Sequence, residues 1–460
     1  MTLRGTLHAA LSAAVTGRPI VLLGRLPRDA DRPLPSLRRL GAGPFLRVTL
    51  RQGPHGGGPV IEHIVLRPGP APPDFVLDGA ELERELAEPG DLLCRAVRRF
   101  DPDGRAWIVG PGHLRCPALL GRPRFGARRT IDLALEDKTA IDSVWAELAL
   151  PHLPTRVVPT LPHALDAAAR ELDQGDGTVW AGDNSSGWEG GALATRWVHD
   201  GPSRARALDV LTPRCRTTRV MPFQSGLPVS IHAWCLARGV AVLSPMEMVV
   251  LRHPGTGAFR FCGCATTWTP GQDTTHRMRR FAHRVASHLR QHHGYRGALS
   301  IDGVLTRKGF FPTELNARFP AGLSRLARGM DDLPLGLADG LIRDGGLEGL
   351  SPALMQAVLR AQLAHAPLAW LHSPAPRAPS MAHAIGLQWT DRGFRRATPG
   401  EPAATTLSWG PGQSGGALRL RILAPPRGWT GGQLLTSALR AAGPPLSRLL
   451  DKWQAAQPPE

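Results

Sequence analysis

Residues 294–322 read GYRGALSIDGVLTRKGFFPTELNARFPAG, and no other stretch restricts the fold as much. Apolar and polar residues alternate over 297–306 and again over 310–319. Arg307-Lys308-Gly309 lies between them, with a glycine where a left-handed conformation is needed, so the pattern predicts a β-hairpin with a three-residue loop. If Thr306 and Phe310 flank that loop as a pair, Asp302 lies directly across from Glu314. Residues two apart share a strand face, so Glu314, Asn316 and Arg318 project together, and Leu315, Ala317 and Phe319 point the other way. Two acids opposed across a ladder repel unless a cation lies between them, and hard oxygen ligands suit Mg²⁺ or Mn²⁺. The plainer alternative is the solvated face of an ordinary hairpin, and a one-residue change of register would undo the pairing.

The chain has 460 residues, enough for about two to four domains with real cores. Its hydrophobic content of 42% and charged content of 20% fit a globular protein, while 44 Pro and 52 Gly imply many turns. The formal charge of +17 is carried by arginine, because lysine occurs only at 138, 308 and 452. Arginine is scattered, aromatic content is 5%, and no nucleic-acid-binding motif is present, so nucleic-acid binding is disfavoured. Cysteines at 94, 116, 215, 235, 262 and 264 lack CxxC spacing and read as reduced thiols in the cytoplasm. No apolar run is long enough to cross a membrane, and "LHAALSAAVTG" is interrupted by Arg18-Pro19, so a chain that is neither membrane-bound nor exported is expected.

Strand patterns at 17–27, 45–52, 62–69, 91–100 and 106–112, with helical patterns such as 80–88 between them, predict an α/β layer over 1–128 without a GxGxxG dinucleotide signature. "DKTAIDSVWAEL" reads as a helix with Asp137 and Lys138 at its start, followed by a strand, "LPTRVVPTL", and a helix, "PHALDAAAREL". Residues 177–198 read as two strands around a glycine-rich loop containing Ser186, Gly187, Gly190 and Gly191, whose backbone N–H groups suit an anion. Residues 218–268 form a strand meander with turns at 225–226, 238–239 and 254–255, and a helix spans 273–293. A mixed α/β segment, 346–460, follows with no chemical motif.

This order, and "SIDGVL…ELNAR" above all, resembles the ATP-grasp superfamily over about residues 130–345. The resemblance implies α/β and α+β architecture: a Rossmann-like pre-ATP-grasp domain (1–128), a two-subdomain ATP-grasp fold (129–345; lid about 155–217, metal-binding sheet about 218–345), and a small mixed C-terminal domain (346–460). It also implies that Asp302, Glu314 and Asn316 hold Mg²⁺ (or Mn²⁺) and that Arg318 is catalytic, steadying an oxyanion. ATP would lie against Lys138, the 182–191 loop (Ser186, Gly187, Gly190, Gly191), a hinge at Val220, Met221, Pro222 and Phe223, and His232. Two features depart from the family. Trp180-Ala181 stands where a lid lysine is usual, and Met221 or Pro222 stands where the hinge usually carries an acid; Arg196 is a candidate substitute for the missing lysine.

The implied reaction is ATP-dependent joining of a small-molecule carboxylate to an amine or related nucleophile through an acyl phosphate. The second reading is a non-catalytic nucleotide-binding protein of the same fold. The oligomeric state is left open, a homo-oligomer included.

Overall fold

Four strands, Ile20–Gly24, Phe45–Thr49, Glu62–Val65 and Trp107–Val109, pair in parallel in the spatial order third, second, first, fourth. The first is buried along its whole length, with Val21 and Leu23 in one apolar core and Ile20 and Leu22 in another, as a parallel strand covered on both faces must be. The computed structural model describes residues 2–53, 61–69, 75–185, 192–326, 330, 333–365, 369–374, 383–410, 417–422, 426–444 and 446–458. Within this layer one expectation fails: residues 91–100 form a helix, Asp91–Phe100, not a strand. Leu93, Ala96 and Val97 are its buried residues, and that spacing of three and four is helical.

Among the described residues sixteen strands form one antiparallel sheet, separate from the short antiparallel pair Ala118–Leu119 and Arg122–Pro123. Its path starts at the hairpin Gly309–Asn316 and Gly297–Thr306, then passes to Leu227–Leu236, Met246–His253 and Ala258–Ala265. From there Ala369–Pro374 carries it into the C-terminal strands Ala417–Ile422, Thr405–Gly410, His383–Thr390 and Gly393–Arg396. Four further strands form a branch of the same sheet over the segment expected to be the lid: Thr217–Pro222 pairs with both Arg156–Pro159 and Thr178–Gly182, and the latter pairs with Thr195–Val198.

Helix Gln272–His292 covers one face of the hairpin end. Its Met278, Phe281, Val285 and Leu289 pack with Val229, Ile231, Leu299, Ile301, Leu315 and Ala317. Because side chains alternate, this leaves Ser230, His232, Ser300, Asp302, Glu314 and Asn316 on the other face. Among the described residues no helix is long and apolar enough to cross a membrane.

Candidate functional site

The hairpin reaches the expected pairing by an unexpected route. Thr306 pairs with Gly309, so the loop is the two residues Arg307-Lys308, one shorter than the sequence predicts. That turn alone would set Thr313 opposite Asp302. A β-bulge at Thr313 restores the register: Gly303 faces Pro312, and Asp302 faces Glu314. The strands approach so closely here that a Cβ on residue 303 would lie 2.3 Å from the carbonyl oxygen of Phe311. Only glycine fits. Thr313 Oγ1 donates to the Asp302 carbonyl (3.2 Å) and fastens the bulge from the other side.

Asp302 is buried, 8% exposed, and its carboxylate accepts from Ser230 Oγ (2.5 Å) and Asn316 Nδ2 (2.8 Å). Glu314 accepts from the same Asn316 amide (3.3 Å) and stands 3.2 Å from Lys138 Nζ. Burial, with Glu314 adding to it, pushes the Asp302 carboxyl up to about 7. Burial also opposes charge on Glu314, but Lys138 and Arg318 outweigh it and hold that carboxyl below its ordinary value. The pair thus carries one firm negative charge and one proton that leaves near neutrality. Asp302, Glu314 and Asn316 suit a hard divalent ion in donor chemistry, since the Asn316 NH2 group draws the two carboxylates together and its amide oxygen adds a third oxygen ligand. Among the described residues no group of three or more His, Cys, Asp or Glu side chains is placed to hold a metal without such an amide.

Lys138 lies in a turn before helix Asp142–Glu147, and not on the helix as the sequence suggests. Arg318 lies beyond the end of its strand at Asn316, with Nε 3.4 Å from Glu136 Oε1. Glu136 also meets Arg128 Nη1 (2.8 Å), and Arg128 Nη2 donates to the carbonyl of His113 (2.8 Å). A chain of polar contacts therefore runs from Arg318 through Glu136 and Arg128 to His113. Burial, followed by Arg25, Arg318, Arg128 and Arg124, holds His113 well below its ordinary pKa, so its ring is neutral.

The residues expected at the hinge divide between two environments. Val220 turns into the lid core with Trp180, while Met221 and Phe223 gather with Leu153, Val179, Phe259 and Phe311 in an apolar cluster shared by lid and hairpin. The ladder to Arg156–Pro159 stops at Val220, which leaves the Met221-Pro222 backbone outside that pairing. Phe223 stacks on Trp197 at 4.6 Å. His232 is 2% exposed, with Nε2 3.4 Å from Ser230 Oγ, and burial lowers its pKa to about 4. Ser186, Gly187, Gly190 and Gly191 lie outside the described residues. Arg196 does not reach the site: its Nη1 donates back to the carbonyls of Leu193 (2.8 Å) and Thr195 (2.7 Å).

Sequence reasoning missed two contributors. Ser230 belongs to the polar alternation Ser230–His232 and was legible as such. Arg219, 0% exposed in the strand TTRVMP, was legible only as a charge in an apolar run.

Three solved structures superimpose on nearly the whole chain, each with a TM-score of 0.52. Biotin carboxylase from Campylobacter jejuni, complexed with β,γ-ATP, is 12% identical and is matched over 96% of this chain and 93% of its own. The biotin carboxylase domain of Hydrogenobacter thermophilus 2-oxoglutarate carboxylase, with MgADP, ADP and bicarbonate, is 12% identical over 96% and 91%. Carboxyaminoimidazole ribonucleotide synthase from Aspergillus clavatus, complexed with ATP, is 11% identical over 95% and 98%. The chain has the ATP-grasp fold. No family model matches it, and no curated protein matches its sequence, so the likeness is one of architecture. The opposed acids lie on the large sheet, which follows the four-stranded parallel layer in the chain.

Proposed function

We propose that this protein is an ATP- and Mg²⁺-dependent ligase that joins a carboxylate to an amine or related nucleophile. The observation that carries the reading is the pairing of Asp302 with Glu314, bridged by Asn316 and flanked by Lys138 and Arg318, within the ATP-grasp fold. ATP, MgADP and bicarbonate in the solved structures support the class of ligand.

Asp302, Glu314 and Asn316 would hold the metal, which supplies neutralisation of phosphate charge when bound. Lys138, beside Glu314, would meet phosphate oxygens, and Met221 and Phe223 with Val179 and Phe311 would give an apolar wall for the base. The carboxylate substrate displaces ADP to give an acyl phosphate. Arg318 would then offer donors to the oxyanion formed when the amine attacks the acyl carbon, and collapse of that intermediate releases inorganic phosphate and a proton to leave the amide.

Calorimetric titration with ATP, with and without Mg²⁺, tests the site in the wild type, Asp302→Ala and Glu314→Ala. The expected result is metal-dependent binding weakened at least about tenfold in both variants. A folded wild type without Mg²⁺-dependent binding would overturn the reading. Ala181 in the lysine's place favours a second reading, nucleotide binding without ligase activity. ADP release with any acid and amine pair eliminates it.

A further inference from the structure

Strand pairing places Ala181 opposite Arg219, and Val179 opposite Met221. Residues paired across a ladder share a face, so Ala181 and Arg219 lie on the cleft side of the lid sheet with Val179 and Met221, while Trp180 and Val220 fill the lid core. The lid strand therefore has no cation on this face, and the strand beside it has one. A fully buried guanidinium is costly unless its donors are met, and those of Arg219 are met in an informative way. Nε and Nη2 form a two-pronged contact with Asp142 (2.7 and 2.6 Å), and Nη1 donates to the carbonyl of Thr313 (2.8 Å).

Thr313 is the extra residue of the bulge that sets Glu314 across from Asp302. Asp142 lies four residues after Lys138, whose ammonium meets Glu314. The 138–142 segment thus grips the hairpin at two consecutive residues: at Glu314 through Lys138, and at Thr313 through Asp142 and Arg219.

We propose that Arg219 is the positioning residue that couples the lid sheet to the metal-binding hairpin, standing beside the missing lid lysine and holding Glu314 opposite Asp302 through the Thr313 carbonyl. The proposal deepens the ligase reading and rests on it for the role of the acids. Lysine at 219 keeps the charge but lacks the forked geometry that serves Asp142 and Thr313 together. Methionine keeps the apolar stem alone.

Two measurements on Arg219→Met and Arg219→Lys test this: Mn²⁺ binding in the presence of ATP by electron paramagnetic resonance, and amide hydrogen exchange over residues 311–316. Arg219→Met is expected to weaken Mn²⁺ binding by about tenfold or more, the scale of a charged hydrogen bond, and to speed exchange in that strand by a similar factor. Arg219→Lys should recover part of both. A residue that only stabilises the core would lower the melting temperature and leave metal affinity alone. Folded Arg219→Met with affinity within about twofold of wild type overturns the proposal. If the wild type binds no Mn²⁺ with ATP, the ligase reading falls and exchange decides: unchanged protection over 311–316 overturns the role of Arg219, and loss confined to that strand upholds it. Should Arg219→Met fail to fold, Asp142→Asn, which loosens the same arginine, must reproduce a smaller loss in both measurements, and an unaffected Asp142→Asn overturns the proposal.

Discussion

Ala181 is 1% exposed and faces a guanidinium across the ladder, so the place where this fold usually carries a lysine has no room for a second cation. A lysine introduced there should therefore harm the protein. Ala181→Lys is expected to cost about 2 kcal/mol or more, from overpacking and from like charges directly opposed, and to leave nucleotide affinity no higher. Chemical denaturation and the same calorimetric titration check both parts; a stable variant with tighter ATP binding would show that the site simply lacked its lysine. The proton on Asp302 gives a second prediction at this scale. A carboxyl raised to about 7 must lose its proton before it can ligate, so below that pH the apparent Mg²⁺ affinity should fall by about tenfold per unit. Above it the affinity should level off. Asp302→Asn should abolish this slope, and a flat wild-type profile between pH 5.5 and 8 would exclude Asp302 as a ligand.

The hairpin shows what holds the site together above single residues. Gly303 lets the bulge close, and a methyl group there meets the backbone oxygen of Phe311 as well as the Phe310 ring. Gly303→Ala is expected to cost about 1–3 kcal/mol and to reduce metal-dependent ATP binding although no ligand is changed. Equal affinity in a destabilised variant would separate the bulge from function. The same hairpin shows how far the sequence could be read. The alternation around Asp302 and Glu314 was legible because one face is buried against Leu299, Ile301 and Leu315 and the other carries the polar groups. Loop length was not, because Gly309 fits either a two- or a three-residue turn. Pro312 was a usable signal for the bulge, since a proline inside a strand removes a ladder donor. The segment 91–100 failed for a related reason: a short apolar run fits both periods, and helix is decided here by what Leu93 and Val97 pack against. Arg219 was unreadable as a partner of Ala181 and Thr313 because cross-strand register and the lid-to-hairpin contact are tertiary facts.

At the scale of the whole molecule, the large sheet continues into the C-terminal strands, and one buried acid ties that region to the centre. Glu247, 2% exposed on Met246–His253, accepts from the backbone N–H groups of Gly431 (2.6 Å) and Gly432 (3.0 Å) at the start of helix Gly431–Ala442. Val249 and Leu251 of the same strand share a core with Leu434, Leu435, Ala438 and Leu439 of that helix. Burial raises the Glu247 carboxyl to about 7 despite the two amide donors. A folded pKa above the unfolded value means that the native state binds the extra proton between about 4.5 and 7. The stabilisation from this proton is therefore complete below the unfolded pKa and is lost as pH rises through the folded one. Its size is about 3 kcal/mol, from the separation of the two values at 1.36 kcal/mol per unit. Glu247→Gln, which cannot titrate, removes this contribution and leaves one of the two amides without its acceptor. The unfolding free energy of the wild type relative to Glu247→Gln should fall by about that amount between pH 4.5 and pH 8. Parallel curves would mean that Glu247 stays ionised in the folded protein, with the helix N–H groups outweighing its burial.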